Sequence, residues 1–195
     1  MNLETAIAIA NTELKKKKIK SSMLDCEILM SKVMNNSREF IILNSKKKIK
    51  KNNYNYFKKL VYERSKGKPI AYITGKKYFW KYEFEINEDV LIPRPDTEII
   101  IEQVFNIFKN KSRINLLDIG VGSGCILLSI LKEKKNYLGT GIDMSNECVK
   151  LSKINANKLG VKNRVKIFKS NVDNFNFGKY DLIISNPPYI KKLDL

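Results

Sequence analysis

The stretch LLDIGVGSGCI, residues 116–126, predicts the fold of the second half of the chain. An apolar run precedes three alternating glycines, and another apolar run follows them. Gly120, Gly122 and Gly124 permit backbone conformations with positive φ and allow a ligand to approach the main chain. We therefore interpret the stretch as a strand, a ligand-binding turn and the beginning of a helix.

The flanking sequence extends this unit into a repeated alternation of strands and helices. We expect strands at 114–119, 137–143, 164–169 and 180–185, and helices at 98–108, 123–133 and 145–159. Such alternation is typical of a parallel sheet with helices on its faces. The expected fold class is therefore α/β, with a Rossmann-like sheet.

Two carboxylates indicate what the glycine turn binds. A dinucleotide-binding turn has the spacing G-x-G-x-x-G, whereas this chain has G-x-G-x-G with Cys125 at the position of the third glycine. Asp118 precedes the turn, where it would disfavour a phosphate and favour a cation. Asp143 ends the next strand, where a carboxylate can accept both hydroxyls of a ribose. The site suits S-adenosyl-L-methionine; the alternative is a structural turn in another doubly wound fold.

The sequence SNPPYI, residues 185–190, follows the fourth expected strand at the edge where α/β sheets bind ligands. Its prolines lack N–H donors, so the side-chain oxygen of Asn186 and the carbonyl of Pro187 remain as acceptors for a substrate NH₂ group. Tyr189 adds a flat wall. Methyl transfer to such a nitrogen needs orientation and proximity rather than a general base. The alternative is a proline-rich loop without chemistry.

The composition excludes several classes of site. The 195 residues include no histidine, which removes Ser-His and Cys-His triads and histidine-bound metals. Cys26, Cys125 and Cys148 are far apart and form no CxxC pair, so we expect no metal site and interpret them as small buried side chains. The sequence has neither a signal peptide pattern nor an apolar run long enough to span a bilayer. We expect a cytoplasmic protein without membrane contact.

The net charge of +17 permits two interpretations. Most of the excess lies in the first 85 residues, in runs such as KKKKIK (15–20) and KKKIKK (46–51). Five of the basic residues are arginines, fewer than a dedicated reader of bases and phosphates would carry. The lysines are therefore either solvated surface residues or a surface that docks a partner.

Helical spacing of apolar residues predicts a small bundle over residues 1–75. The segment KYFWKYEFEIN, residues 77–87, then alternates aromatic and polar residues, which predicts one strand with a buried face. NED would form a turn and VLI a partner strand, giving a β-hairpin connector at 76–95 before a Rossmann-like domain at 96–195. The aromatic face is either packed core or a base-stacking platform.

The G-x-G-x-G turn followed by NPPY is similar to Rossmann-type methyltransferases that alkylate planar nitrogens, on adenine N6 or on protein glutamine. Three stretches, GKPIAYITGKKYFWKYEFEINEDVLIPRPDTE, LLDIGVGSGCI and LIISNPPYI, together with the helix LDCEILMSKVM, resemble the family of peptide chain release factor N5-glutamine methyltransferases. The resemblance covers nearly the whole chain. The stretch PRPDTE distinguishes it from the related ribosomal-protein glutamine methyltransferases.

This resemblance implies S-adenosyl-L-methionine as the cofactor and a role for each matching position. The methionine part of the cofactor would contact Gly120, Val121, Gly122, Ser123 and Gly124. Asp143 would bind the ribose. Asn171 and Val172 would lie beside adenine, although the family has an acidic residue and an aromatic there.

The same resemblance implies a protein substrate. Asn186, Pro187, Pro188 and Tyr189 would bind the glutamine of the Gly-Gly-Gln motif in release factors, with Asn186, Pro187 and Tyr189 as catalytic residues and Asn186 also contacting the cofactor. The basic helical bundle would dock the release factor, and we expect the chain to be a monomer.

The family's sheet has seven strands, and the four expected here are the first four. We therefore expect an incomplete sheet, from a fragment, from a decayed gene, or from a fold that another chain completes. Three functions remain open: glutamine methylation of release factors, N6-adenine methylation of DNA or RNA, and an inactive fragment that binds a partner.

Overall fold

The computed structural model describes residues 1–187, and the chain divides into two compact units, Met1–Gly75 and a second that begins at Lys76. The first unit contains α1 (Leu3–Lys16), α2 (Ser22–Met34), α3 (Arg38–Leu43), α4 (Lys51–Ser65) and α5 (Ile70–Thr74). The predicted helical bundle is confirmed.

Apolar side chains from the helices of the first unit form its core. Fully buried residues come from α1, α2 and α4, among them Leu3, Leu29 and Phe57. A partly buried ion pair joins α4 to α2, because Nε of Arg64 lies 2.7 Å from Oδ2 of the buried Asp25. The pair contributes to the packing of α4 against α2, since an unpaired buried carboxylate would be costly.

The second unit begins with a β-hairpin, and the structure corrects the predicted one. The single strand over residues 77–87 is in fact two antiparallel strands, β1 (Lys76–Phe79) and β2 (Tyr82–Glu85). The chain reverses at Trp80, whose φ is 57°. Residues 90–92, the predicted partner strand, form no strand.

This reversal changes which aromatic residues are buried. Phe79 and Phe84 are fully buried in the core of the second unit, while Tyr78 is 69% exposed. Because the turn interrupts the alternation, the aromatic residues of 77–87 do not lie on one face of a single strand as predicted. The buried rings of Phe79 and Phe84 are therefore part of a packed core and not of an exposed platform for base stacking.

The predicted parallel sheet is confirmed in the described residues. It contains β3 (Asn115–Ile119), β4 (Leu138–Asp143), β5 (Val165–Lys169) and β6 (Leu182–Ser185), in the order β5-β4-β3-β6. All three pairings are parallel. The helices are α6 (Glu98–Ile107), α7 (Cys125–Glu133) and α8 (Asn146–Lys158). Among the described residues, no helix combines the length and hydrophobicity that a membrane crossing needs.

Two glycines of β4 permit the close packing of α7 and the preceding turn on the sheet. A Cβ at Gly141 would lie 2.8 Å from Cγ2 of Val121, and one at Gly139 would lie 2.7 Å from Cδ1 of Leu127. Both distances are shorter than atoms in a folded protein tolerate. The small residues therefore determine how near the glycine turn lies to β4.

Gly141→Ala should lower the free energy of unfolding by about 1–3 kcal/mol, because the added methyl group overpacks the contact with Val121. Urea denaturation measures the loss. The double variant with Val121→Ala removes the clashing methyl groups, so its loss should be smaller than the sum of the two single losses. Strict additivity would contradict this contact.

Candidate functional site

The carboxyl ends of the four parallel strands bring together those predicted site residues that the structure describes. The pairing of Ile119 with Ile142 and with Ser185 aligns the ends of β3, β4 and β6. The glycine turn, Asp143 and Asn186 therefore follow neighbouring strands. In α/β sheets this edge is where ligands bind.

The glycine turn has the geometry that its sequence predicts. Gly120, Gly122 and Gly124 have φ values of 76°, 54° and 81°. A Cβ at Gly120 would meet no atom within 4 Å, whereas one at Gly124 would lie 2.6 Å from Cδ1 of Leu128. Gly120 thus leaves open space above the turn, and Gly124 permits α7 to begin directly beneath it.

Asp143 joins the glycine turn to the loop after β4. Its Oδ2 accepts a hydrogen bond from the Gly122 N–H at 2.9 Å, and its Oδ1 accepts one from the Ser145 N–H at 2.9 Å. A carboxylate offers about four lone pairs, so each oxygen can accept one further donor. The residue predicted to bind ribose hydroxyls is therefore fixed in position with acceptor capacity remaining.

Asp118 lies in a different environment from the one expected. We predicted that it would favour a cation at the ligand, but its side chain is buried with 2% of the residue exposed. Burial raises the pKa of the Asp118 carboxyl to about 7; a hydrogen bond from the Leu127 backbone lowers this pKa, and the charge of Asp143 raises it. Asp118 thus faces the first turn of α7 rather than open space.

Asn171 and Val172 follow β5 at the same edge of the sheet. Asn171 caps a short 3-10 turn at residues 172–174, and Val172 is 48% exposed. The N–H of Ser170 donates to the carbonyl of Asp143 at 3.0 Å, which joins this segment to the end of β4. The exposed apolar side chain of Val172 could contact a planar ring.

Asn186 is half-buried at the end of β6, and its Nδ2 lies 3.5 Å from Oγ1 of Thr97. This contact joins the NPPY sequence to the PRPDTE stretch. Pro187 is exposed beside it. Pro188 and Tyr189, also predicted to bind substrate, lie outside the described residues.

Three neighbours of the site escaped the sequence analysis. Thr97 contacts Asn186, and Met144, which follows Asp143, is 70% exposed. A large apolar residue directly after a strand-terminal carboxylate was a signal for Met144. Asn155, in the middle of α8, gave no such signal.

Asn155 is fully buried, and its amide forms three hydrogen bonds to the backbone. Its Nδ2 donates to the carbonyls of Glu85 and Ser123, each at 2.9 Å, and its Oδ1 accepts from the Glu85 N–H at 2.8 Å. One side chain therefore joins α8 to the hairpin and to the glycine turn. The shape of the turn depends on this residue as well as on Asp143.

Residues 1–187 contain no cluster of three or more cysteines and carboxylates placed to hold a metal ion. The site is instead made of backbone groups, one carboxylate and amides.

Two family models match the chain, one within each of the two compact units. Residues 5–75 match the PrmC N-terminal domain, and residues 97–195 match the methyltransferase small domain. The second match covers just over half of the chain.

Individual proteins give the same result. The chain is 41% identical to the release factor glutamine methyltransferase of Buchnera aphidicola subsp. Schizaphis graminum, over 85% of this chain and 60% of that protein. It is 39% identical to the one from Leptospira interrogans, over 91% of this chain and 63% of that protein. The chain therefore spans about 60% of the length of these relatives, and the resemblance to release factor glutamine methyltransferases is confirmed.

Among solved structures, a SAM-dependent methyltransferase from Geobacter sulfurreducens in complex with S-adenosyl-L-homocysteine is 25% identical, with a TM-score of 0.40 over 47% of this chain and 36% of that one.

Asn155→Ala should lower the free energy of unfolding by about 3 kcal/mol, because it leaves buried backbone groups of Glu85 and Ser123 without their partner. Chemical denaturation measures the loss. Asn157→Ala on the exposed side of the same helix is the matched control and should change stability by less than about 0.5 kcal/mol. Equal losses for the two variants would contradict the role of Asn155.

The buried carboxyl of Asp118 should make stability depend on pH. Its folded pKa of about 7 is above the ordinary value of 3.8, so the folded state binds more protons between these values. The free energy of unfolding should therefore fall as pH rises from about 4 to 7, by up to about 1.4 kcal/mol per pH unit.

Asp118→Asn removes this titration. Urea denaturation of both proteins at pH 5, 6 and 7 gives their free energies of unfolding. The free energy of unfolding of the wild type should fall relative to that of the variant as pH rises. Parallel profiles for the two proteins would contradict the raised pKa.

Proposed function

The chain belongs to the methyltransferase small domain family, and on that premise we propose that it binds S-adenosyl-L-methionine and methylates N5 of the glutamine in the Gly-Gly-Gln motif of release factors. The observation that carries this proposal is the alignment of the glycine turn and Asn186 at the ends of adjacent strands. Such an alignment can place a methyl donor beside an amide acceptor.

The residues at this edge suit the parts of the cofactor. The open space above Gly120 admits the methionine portion, along the turn from Gly120 to Gly124 that includes Val121 and Ser123. The remaining lone pairs of Asp143 suit the ribose hydroxyls. Val172 and Met144 offer exposed apolar surface for adenine, with Asn171 beside them.

The bound cofactor would supply an electrophilic methyl group on its sulfonium. The side-chain oxygen of Asn186 and the carbonyl of Pro187 would accept the hydrogens of the substrate amide and orient its nitrogen. Pro188 and Tyr189 would complete the substrate pocket, as the sequence predicts. The substrate nitrogen would receive this methyl group as the sulfur leaves as a neutral thioether, and it would then lose a proton to water. Orientation is the main catalytic contribution.

The first unit would dock the release factor through its positive charge. Four of the six carboxylates of this unit form ion pairs within it: Glu4 with Lys46, Asp25 with Arg64, Glu27 with Arg38 and Glu63 with Lys68. The exposed face of α4 presents Lys51, Asn55, Lys58 and Tyr62 at helical spacing, and Lys66 follows directly after the helix. None of these four pairs uses a lysine of this face, so its positive charge would attract an acidic partner surface.

We further propose that the protein acts as a cytoplasmic monomer. Cys26 and Cys148 are buried free thiols, and burial raises the pKa of Cys26 to about 12. Unpaired cysteines of this kind are common in reducing compartments.

Cofactor binding is the first test. Calorimetric titration with S-adenosyl-L-methionine should show saturable binding, weakened at least about tenfold by Asp143→Ala, which corresponds to about 1.4 kcal/mol. Glu147→Ala, an exposed carboxylate on α8, is the matched control and should bind like the wild type. Thermal unfolding checks that each variant is folded. No binding to the folded wild-type chain would overturn the proposal.

Methyl transfer is the second test. Label from the cofactor's methyl group should appear in a release factor and not in its variant with alanine in place of the motif glutamine. Asn186→Ala should reduce the rate at least about a hundredfold while cofactor binding changes less. Transfer to DNA or RNA would instead identify an adenine methyltransferase, and binding without transfer would identify an inactive cofactor-binding fragment.

A further inference from the structure

A groove lies between α8 and β5, and it shares no lining residue with the candidate functional site. One wall is formed by α8, through Lys153, Ile154, Ala156 and Asn157, and the other by Lys162 together with residues 165–168 of β5. We refer to it as the β5 groove. Its volume of about 820 Å³ lies in the range of ligand-binding cavities.

Apolar side chains from both walls line the β5 groove. Ile154 on α8 is 55% exposed, and Phe168 on β5 is 38% exposed. Val165 is a further apolar residue of the lining. Exposed apolar residues gathered in one concave surface are typical of interaction sites.

The charges of the β5 groove all have the same sign. Lys153, Lys162 and Lys166 are exposed members of its lining, which contains no carboxylate. The groove therefore attracts an occupant that is negatively charged as well as partly apolar.

The outer edge of β5 determines the shape of such an occupant. Within residues 1–187, the strand that pairs with β5 is β4, which lies on its inner side. The outer edge presents backbone N–H and C=O groups that an extended peptide can pair with. Lysines on an edge strand also prevent aggregation, but Lys153 and Lys162 lie outside the strand, so edge protection does not account for them.

We propose that the β5 groove binds an acidic, extended segment of a partner protein, which adds as a strand to the outer edge of β5. Alternate apolar side chains of the segment contact Ile154 and Phe168, and its carboxylates pair with the surrounding lysines. This inference is independent of methyl transfer, since it involves none of the residues assigned to cofactor or substrate.

A synthetic peptide with alternating aspartate and valine or leucine, labelled with fluorescein, tests the proposal by fluorescence anisotropy on the full 195-residue chain. Binding should be saturable at low salt and several-fold weaker at about 0.2 M salt. A peptide with lysine in place of aspartate should not bind. Equal binding of both peptides, or no binding of the acidic one, would overturn the proposal.

Matched charge variants test the location. Lys153→Glu with Lys166→Glu should weaken binding at least tenfold, as should Ile154→Asp alone. The controls change the same residue types on exposed positions of α1: Lys15→Glu with Lys16→Glu, and Ile9→Asp. They should change the affinity less than twofold. Equal losses of peptide affinity in both sets of variants would show that the peptide responds to the net charge of the protein. That result would overturn the β5 groove as the binding site.

Backbone methylation tests the strand pairing. An acidic peptide with alternate N-methylated residues cannot donate its edge hydrogen bonds and should lose binding. Hydrogen exchange should show new protection of amides in residues 165–169 when the unmodified peptide binds. Unchanged affinity of the methylated peptide would overturn this mode of binding. Binding of the fatty acid dodecanoate, with no binding of the peptide, would also overturn it.

Discussion

The carboxylate of Asp143 is the interaction on which the candidate site depends. It accepts N–H groups from the glycine turn and from the loop after β4, while the N–H groups of Gly120 and Val121 both donate to the carbonyl of Ile142. Three glycines with positive φ have many alternative conformations, and these bonds select one of them. The end of β4 therefore shapes the turn that follows β3.

The sequence predicted those features that arise from local patterns. Apolar runs that end in glycine, aspartate or asparagine predict the parallel strands, the glycine turn and the positions of Asp143 and Asn186. It did not predict the hairpin reversal, because the alternation of aromatic and polar residues continues unbroken through Trp80. Contacts with Glu98 and Glu133, 18 and 53 residues away, accompany that reversal.

Asp118 and Asn155 show a second limit of sequence reasoning. A carboxylate before a glycine turn can face a ligand or the helix beneath the turn, and the sequence does not distinguish these directions. A helical asparagine ordinarily indicates a solvated position, yet the partners of Asn155 lie 70 and 32 residues away. Both outcomes depend on packing between distant segments, which local spacing does not encode.

The shared hydrogen bonds of Asn155 also have a consequence for motion. Proteins open locally in cooperative segments, and segments that share an anchor open together. Displacing α8 would release the backbone of Glu85 in the hairpin and of Ser123 in the glycine turn at the same moment. The hairpin and the turn thus belong to one unit of local unfolding, although they are distant in sequence, and any ligand held by the turn would slow the opening of the hairpin as well.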